Sequence, residues 1–369
     1  MKTNLNVTGI IVEYNPFHNG HIYHIDKSRS LTKCDVLIAV MSPHFVQRGE
    51  PAIIDKWTRT QIALEHGVDL VIELPTHIAL QSAETFATQA VRLLNMAKVD
   101  TIVYGSESME KPKLAPIDKD ALKKGYSFAH AKNNQNLKAN QILGAYYEVA
   151  AESFGINTQR ILRTKDYHDL SISSKIASAS AIRHAHFNQK NTEHTTPINL
   201  NTSQIHQLKD YYPILRYQIL TERDQLNQYL IVDEGIENLF IKLAATEETF
   251  DGFMKRATSR RYTRSKIQRT LCHILLKTPR NIEEPKGFRV LGMNQVGQKY
   301  LSIIRKEAPI ASQFKEYQYK DQESMAAFIY GIPYKKENAY LNREVHPPII
   351  ISKFEYLPKE NHHDQSDQN

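Results

Sequence analysis

Two periodicities divide the chain. As far as residue 187, short β-branched runs at 7–13, 36–41, 70–74, 101–104 and 159–163 alternate with stretches at 20–30, 57–66, 82–96 and 140–154. In the latter, apolar positions recur at helical spacing. This alternation predicts a parallel sheet covered by helices on both faces, an α/β unit over 1–187. In such sheets ligands bind beyond the carboxyl ends of the strands, so chemistry belongs in the loops that follow them. The polar segment 188–202, NQKNTEHTTPINLNT without its last-strand periodicity, predicts a linker. Beyond it the pattern turns mainly helical at 204–227, 234–244, 250–257 and 265–276, with short apolar runs at 288–293 and 346–352. In 265–276, Ile267, Leu271, Ile274 and Leu275 form one core-facing stripe, and Lys266 and Arg269 point elsewhere. The expected organisation is therefore an α/β unit, a linker, a mainly helical domain over 203–358 and a flexible tail over 359–369.

Composition narrows the class. With 369 residues, 41% hydrophobic and 24% charged, the chain can bury a full core without staples. Two cysteines, Cys34 and Cys272, supply neither a disulfide framework nor a cysteine-rich metal site, and no metal ligand set is expected. The first eight residues lack the apolar stretch of a signal peptide, and no run approaches a membrane span. The expectation is a soluble cytoplasmic protein that does not associate with membranes.

Charge changes the picture. The chain carries a net +7, yet residues 251–310 alone hold 14 Lys/Arg against 4 Asp/Glu. Within that stretch Arg256, Arg260, Arg261, Arg264, Lys266 and Arg269 surround Tyr262. Guanidinium groups bind phosphate bidentately and stack on bases, so the cluster favours a nucleic-acid partner over a merely solvated face or an acidic protein partner.

The loop after the first strand carries the chemistry. It reads Glu13-Tyr14-Asn15-Pro16-Phe17-His18-Asn19-Gly20-His21, with two histidines at the mouth of a predicted helix. A helix N-terminus is already an anion site, and imidazoles there can donate to phosphate oxygens as charge develops. A second candidate, Ser178-Ala179-Ser180-Ala181-Ile182-Arg183, is a hydroxyl-rich helix start ending in Arg, read either as a phosphate site or as plain capping. Arg48, after the second strand, could meet an acceptor or pyrophosphate. Glu73 reads either as an ordinary edge carboxylate or as a site residue.

The motif His18-Asn19-Gly20-His21 resembles the signature of the nucleotidyltransferase superfamily. The longer strings GIIVEYNPFHNGHIYH, MSPHFVQRGEPAIIDKW, GVDLVIELP, YGSE, DYHD, IASASAIR and RRYTRSKIQR resemble the bacterial tRNA(Met) cytidine acetate ligase family, from Gly9 to about Gly297. The resemblance implies a Rossmann-like nucleotidyltransferase domain over 1–187 and a tRNA-binding role for the helical domain. It implies ATP, with Mg²⁺, and acetate as substrates, acetyl-AMP as intermediate, and N4 of the wobble cytidine of elongator tRNA(Met) as acceptor. The ATP loop then maps onto Ile11, Val12, Glu13, Tyr14, Asn15, Pro16, Phe17, His18, Asn19, Gly20, His21, Ile22, Tyr23 and His24. Gly105 in YGSE, Asn140 and Arg163 complete the ATP set, with Arg160 the alternative to Arg163. The family's Lys-Pro-Asn-Asn motif stands here as Lys138-Ala139-Asn140-Gln141, keeping only its first Asn. His18, His21 and Arg183 are the implied catalytic groups, and Arg256, Arg260, Arg261, Arg264, Lys266 and Arg269 the implied tRNA contacts. The competing reading is a small-molecule adenylyltransferase, which shares the first motif and has no need of the basic helices. A non-catalytic RNA-binding protein would leave the histidine loop unexplained.

Overall fold

The computed structural model describes residues 5–352 apart from 115, 128–130, 132–137 and 164–170. The DYHD motif and the tail 359–369 therefore lie outside the described residues.

Four buried runs and one largely accessible edge strand form the parallel part of one sheet: β1 (Val7–Val12), β2 (Val36–Met41), β5 (Leu70–Glu73) and β6 (Thr101–Ser106), with β7 (Asn157–Leu162) at the edge. A two-residue hairpin, β3 (Phe45–Val46) and β4 (Glu50–Pro51), stands apart beyond β2. The sheet order is β7-β6-β1-β2-β5-β8-β9, where β8 is Val290–Met293 and β9 is Ile349–Ile350. The chain leaves β1 toward β2 and β5, then returns to build β6 and β7 on the other side. The reversal opens a crevice beyond the carboxyl ends of β1 and β6, the position where doubly wound sheets bind ligands. The helices α1 (Asn19–Thr32), α2 (Lys56–Glu65), α3 (Ala83–Met96), α4 (Ala139–Phe154) and α5 (Ala179–Phe187) belong to this unit.

The second half differs from the expected division. Its helices α6 (Tyr212–Thr221), α7 (Ile236–Thr246), α8 (Phe250–Ala257) and α9 (Arg264–Leu275) share a core of their own. The expected single helix over 204–227 is interrupted because Pro213 starts α6 afresh, its missing N–H being harmless only in a first turn. After α9 the chain returns to the sheet: β8 pairs antiparallel with β5, and β9 runs parallel to β8. Phe288, Val290, Tyr300 and Ile304 are buried in the same core as β2 and β5, with Tyr300 and Ile304 on α10 (Gln295–Ile304). The span 203–358 is thus not one helical body, and the sheet is parallel only over its first five strands.

The expected linker is also structured. Thr195 and Thr196 are buried, Asn19 N–H donates to Thr195 O at 3.0 Å, and Thr196 Oγ1 donates to Phe17 O at 2.6 Å. Residues 192–200 therefore brace the outer side of the histidine loop. Threonine hydroxyls and backbone satisfy the polar groups that a loose linker would leave to water.

Charge is buried at two places behind the crevice. Arg59 on α2 is fully buried and donates to the carbonyls of Ile54 (2.9 Å), Glu13 (2.6 Å), Ser42 (2.9 Å) and Pro43. Further along the sheet, Lys56 Nζ meets Glu73 at 2.5 Å and Glu344 at 2.8 Å, Glu344 lying at the end of α12 (Glu337–Glu344), the helix after α11 (Lys320–Gly331). Arg289 meets the same two carboxylates at 3.0 and 2.6 Å. Glu73 is therefore a structural ion-pair residue, remote from the crevice. Replacing Arg59 with Met would leave four inward carbonyls short of a donor. The expected loss is about 3–5 kcal/mol, by analogy with removing one side of a buried charged network, seen as a lower urea midpoint. An unchanged midpoint would mean that water replaces the guanidinium.

Candidate active site

The crevice is a cavity of about 250 Å³ lined from five directions. The end of β1 and its loop contribute Ile11 through Asn15 with His18 and Gly20. The first turns of α1 add His21, Tyr23 and His24. The β3–β4 turn brings Gln47 and Arg48. The end of β6 and the start of α4 supply Tyr104, Gly105 and Asn140. Finally Arg163 and the start of α5, from Ser178 to Arg183, close the far wall.

The loop geometry follows from its residues. Tyr14 adopts φ 54°, left-handed backbone that a bulky residue seldom accepts, and the chain turns sharply out of β1. Its ring is held edge-on between Phe17 and His21 at 4.7 and 4.8 Å. The Asn15–Pro16 bond is cis. Asn15 then accepts from Ile53 N–H through Oδ1 at 2.8 Å, pinning the loop to the segment after β4.

His18 and His21 form a reciprocal cap on α1. Gly20 N–H donates to His18 Nδ1 at 3.0 Å, and His18 N–H donates to His21 Nδ1 at 3.2 Å. The two rings stack with centroids 3.7 Å apart. Glycine is required at 20, because a Cβ there would lie 2.8 Å from the His18 ring. Since each Nδ1 accepts, each neutral ring carries its proton on Nε2, the one polar group left to offer the cavity. Burial, then Arg163 and Arg183, push His18 down to about 3, and burial with its neighbour His18 lowers His21 as well. His24 is pushed down to about 4, first by burial and then by Arg163. The pair is therefore a set of neutral N–H donors over a helix N-terminus.

Positive groups complete the opposite wall. Ser178 caps α5, its Oγ accepting from Ala181 N–H at 3.1 Å, so a second helix N-terminus opens on the same space. Arg183 donates to Asn15 O at 2.6 Å and pairs with Glu50 at 3.2 Å. Arg163 lines the cavity and, among the described residues, has no carboxylate partner. Arg160 instead binds Glu148 at 2.5 Å, with Tyr104 OH on the same carboxylate oxygen at 2.7 Å. Of the two arginines that the spacing left open, Arg163 thus faces the cavity. Asn140 also lines it and donates to Glu107 at 2.6 Å.

Four residues of the expected ATP loop do not line the cavity. Phe17 is fully buried, Pro16 and Ile22 pack beneath, and Asn19 turns outward to the carbonyls of Lys175 and His194 at 2.8 and 2.9 Å. Conversely, Phe86, Leu143 and Tyr147 line it without having stood out in the sequence. Their separations along the chain carry no local signal.

The basic cluster is split by the structure. Arg260 and Arg264 are exposed, with Arg260 stacked 4.3 Å above the Tyr126 ring. Arg256, Arg261 and Lys266 are paired with Glu247, Glu234 and Asp233. Arg269 differs from all of these. It sits against the β3–β4 turn, where Gly49 at φ +79° lets α9 approach so closely that a Cβ would lie 2.3 Å from Arg269 N. Burial, then Arg48, push its guanidinium down to about 10. As a free phosphate contact Arg269 is poorly placed, whereas it braces the turn that carries Arg48.

Because His18 is depressed in the folded state, the unfolded chain takes up its proton first. Its share of stability is complete above about pH 6.5 and is lost as pH falls from there toward 3. Asn is also a good N-cap, so His18→Asn should melt near the wild-type temperature at pH 7. At pH 5 the wild type should have lost about 2 kcal/mol from this group that the variant has not. Parallel melting curves at both pH values would refute a buried neutral imidazole.

With this geometry in view, the chain can be set beside known proteins. The sequence profile of the HIGH Nucleotidyl Transferase family matches residues 5–344. The tRNA(Met) cytidine acetate ligase of Thermoanaerobacter sp. (strain X514) is 37% identical, the match covering 94% of this chain and all of that relative. The enzyme of the same name from Listeria monocytogenes is 38% identical with the same coverage. Among solved structures, apo Thermotoga maritima TmcAL superposes with a TM-score of 0.84 at 28% identity, over 95% of this chain and all of that one. The same protein bound with alpha-thio ATP gives 0.82. The chain belongs to the HIGH nucleotidyl transferase family and, within it, to the tRNA(Met) cytidine acetate ligases.

Proposed function

We propose that this protein activates acetate with ATP as acetyl-AMP and then acetylates N4 of the wobble cytidine of elongator tRNA(Met). The observation that carries the reading is the convergence of two helix N-termini, two Nε2–H imidazoles and Arg163 and Arg183 on one cavity. That donor set suits a triphosphate losing pyrophosphate, and the relatives that share its whole length are tRNA(Met) cytidine acetate ligases. The ATP-analogue complex of the Thermotoga protein supports ATP as the nucleotide.

Acetate is unreactive toward an amine until its oxygen belongs to a good leaving group. In this reading acetate attacks the α-phosphorus and pyrophosphate leaves. His18, His21 and the first turn of α1 donate to the phosphate oxygens as their charge rises, while Arg163 and Arg183 offset the triphosphate. Gly105 and Asn140, at the end of β6 and the start of α4, lie where ribose and adenine would fit, with the Asn140 amide as reader. Mg²⁺ arrives with ATP as its counter-ion. Among the described residues no group of three His, Cys, Asp or Glu side chains could hold a metal. Among the described residues no helix is long and apolar enough to cross a membrane.

Acetate-dependent exchange of labelled pyrophosphate into ATP should occur without tRNA, and acetylated cytidine should appear only when tRNA is added. His21→Ala should slow exchange by about two orders of magnitude, the usual cost of one such donor. Transfer of AMP to a phosphorylated metabolite would favour the adenylyltransferase reading instead.

Arg256, Arg260, Arg261, Arg264 and Lys266 are the proposed tRNA contacts, Arg260 and Arg264 being the most accessible. Changing both to Glu should weaken tRNA binding and reduce its log–log salt slope by somewhat under two units. Pyrophosphate exchange should hold within about twofold. An unchanged slope would return these arginines to an ordinary solvated surface.

A further inference from the structure

A second cavity, of about 160 Å³, lies on the other side of Arg183. Arg183 lines both spaces, and its partner Glu50 lines the second. Phe187, at the last turn of α5, lines it and is 41% exposed, its ring edge-on to His186 at 5.7 Å. Arg264 and Gln268 on α9 close the side nearest the basic surface. The space is smaller than the nucleotide cavity of about 250 Å³, on the scale of a single ring.

The polar groups are specific in kind. Glu50 takes the Asn15 amide and Arg183 through the same oxygen, Oε1, each at 3.2 Å, and among the described residues Oε2 has no partner. The half-buried Gln268 amide likewise has none among the described residues. A carboxylate is the side chain that accepts from the amino group of cytosine, an amide can serve a ring nitrogen or carbonyl, and an exposed phenyl ring stacks on a base.

We propose that this second cavity is the subsite for the acceptor nucleobase, an aminopyrimidine stacked on Phe187 with its amino group on Glu50 Oε2. This inference rests on the acetyl-transfer reading and deepens it. The Arg183–Glu50 pair is then the partition between the two substrates: Arg183 faces the adenylate and Glu50 faces the amine. In the transfer step N4 forms a bond to the acetyl carbon, and the bond from that carbon to the phosphate oxygen breaks. AMP leaves with the electron pair, and the proton shed by N4 passes to Glu50. Arg264, on the same rim, would hold the phosphate beside the flipped base, which joins the basic surface to the reacting centre.

The test separates this subsite from the ATP cavity. Phe187→Ala should slow single-turnover transfer from enzyme-bound acetyl-AMP to tRNA by about 10- to 100-fold, the range for losing one stacked base. Acetate-dependent pyrophosphate exchange should be unchanged, and tRNA affinity, dominated by phosphate contacts, should move by no more than about threefold. Phe187→Tyr, which keeps the stacking face, should restore transfer. Unaltered transfer in Phe187→Ala would overturn the proposal. So would an equal fall in exchange and transfer, since Phe187 would then support the first cavity. Absence of acetate-dependent exchange in the wild type would instead sink the acetyl-AMP reading itself, and so is distinguishable.

Discussion

The site depends on one buried cation. Among the described residues no carboxylate forms an ion pair with Arg59. Its guanidinium is surrounded by backbone carbonyls from the ends of β1 and β2 and from the segment entering α2. Burial pushes it down to about 10, and it remains charged at any ordinary pH. Desolvating a guanidinium is tolerable only when its planar fork finds acceptors in the right directions, and four carbonyls supply them. The consequence is geometric. Two loops that must open toward the same ligand are tied at their roots to one rigid group. The histidine loop leaves from Glu13, the Arg48 turn leaves from Pro43, and neither can shift without the other.

A second tie acts at the tips of those loops. Arg183 binds Asn15 of the first and Glu50 of the second, and Gly49 seats the second against α9. The basic helix is therefore packed directly on the turn that lines the nucleotide cavity. Binding of a polyanion to α9 has a short mechanical route to Arg48, through a glycine contact that no other residue could make. The buried cluster of Lys56, Arg289, Glu73 and Glu344 does a different job on the far edge. It fastens β8 and α12 to β5, which is why the chain's second half returns to the sheet. Glu323 joins this cluster through Lys56 at 3.9 Å, accepts from Thr76 N–H and Oγ1, and is held well above the ordinary carboxylate range by burial and by Glu73.

The α/β half was legible because its signals are local. Hydrophobic runs bounded by polar turns located β1, β2, β5 and β6 closely, and the His-Asn-Gly-His motif marked the helix mouth. Arg163 was legible only through resemblance, since its meeting with His18 spans 145 residues of chain and leaves no periodic trace. The run at 288–293 stood out as apolar, but its antiparallel place beside β5 was not legible, because partners 218 to 223 residues apart leave no local pattern. The polar stretch 188–202 misled for a related reason: its threonines satisfy backbone groups instead of packing apolar surface. Arg269 was grouped with its neighbours by charge, and only the approach of α9 to Gly49 separates it from them.

The electrostatics of the cavity indicate what it is shaped to receive. Arg163 and Arg183 both disfavour a proton on His18, and Arg48 disfavours charge on Arg269, so positive groups here are held against mutual repulsion. A cluster of like charge is costly unless the missing partner is an anion, and a preorganised one needs no rearrangement when that anion arrives. Glu13 appears at first to oppose this, as a carboxyl in the wall. Burial, however, raises its pKa, and Glu50 adds to that, against the counter-effects of Arg48 and of the Gln47 N–H on its Oε1 at 2.7 Å. That shift runs in the direction that lessens negative charge beside a phosphate. The histidines follow the same logic from the other side. Neutral imidazoles cost less to bury beside two arginines than imidazolium ions would, and their Nε2–H groups still donate. Negative charge developing on a phosphate oxygen would then strengthen those bonds in step with the reaction, which is the condition for donors to lower a barrier rather than merely tighten binding.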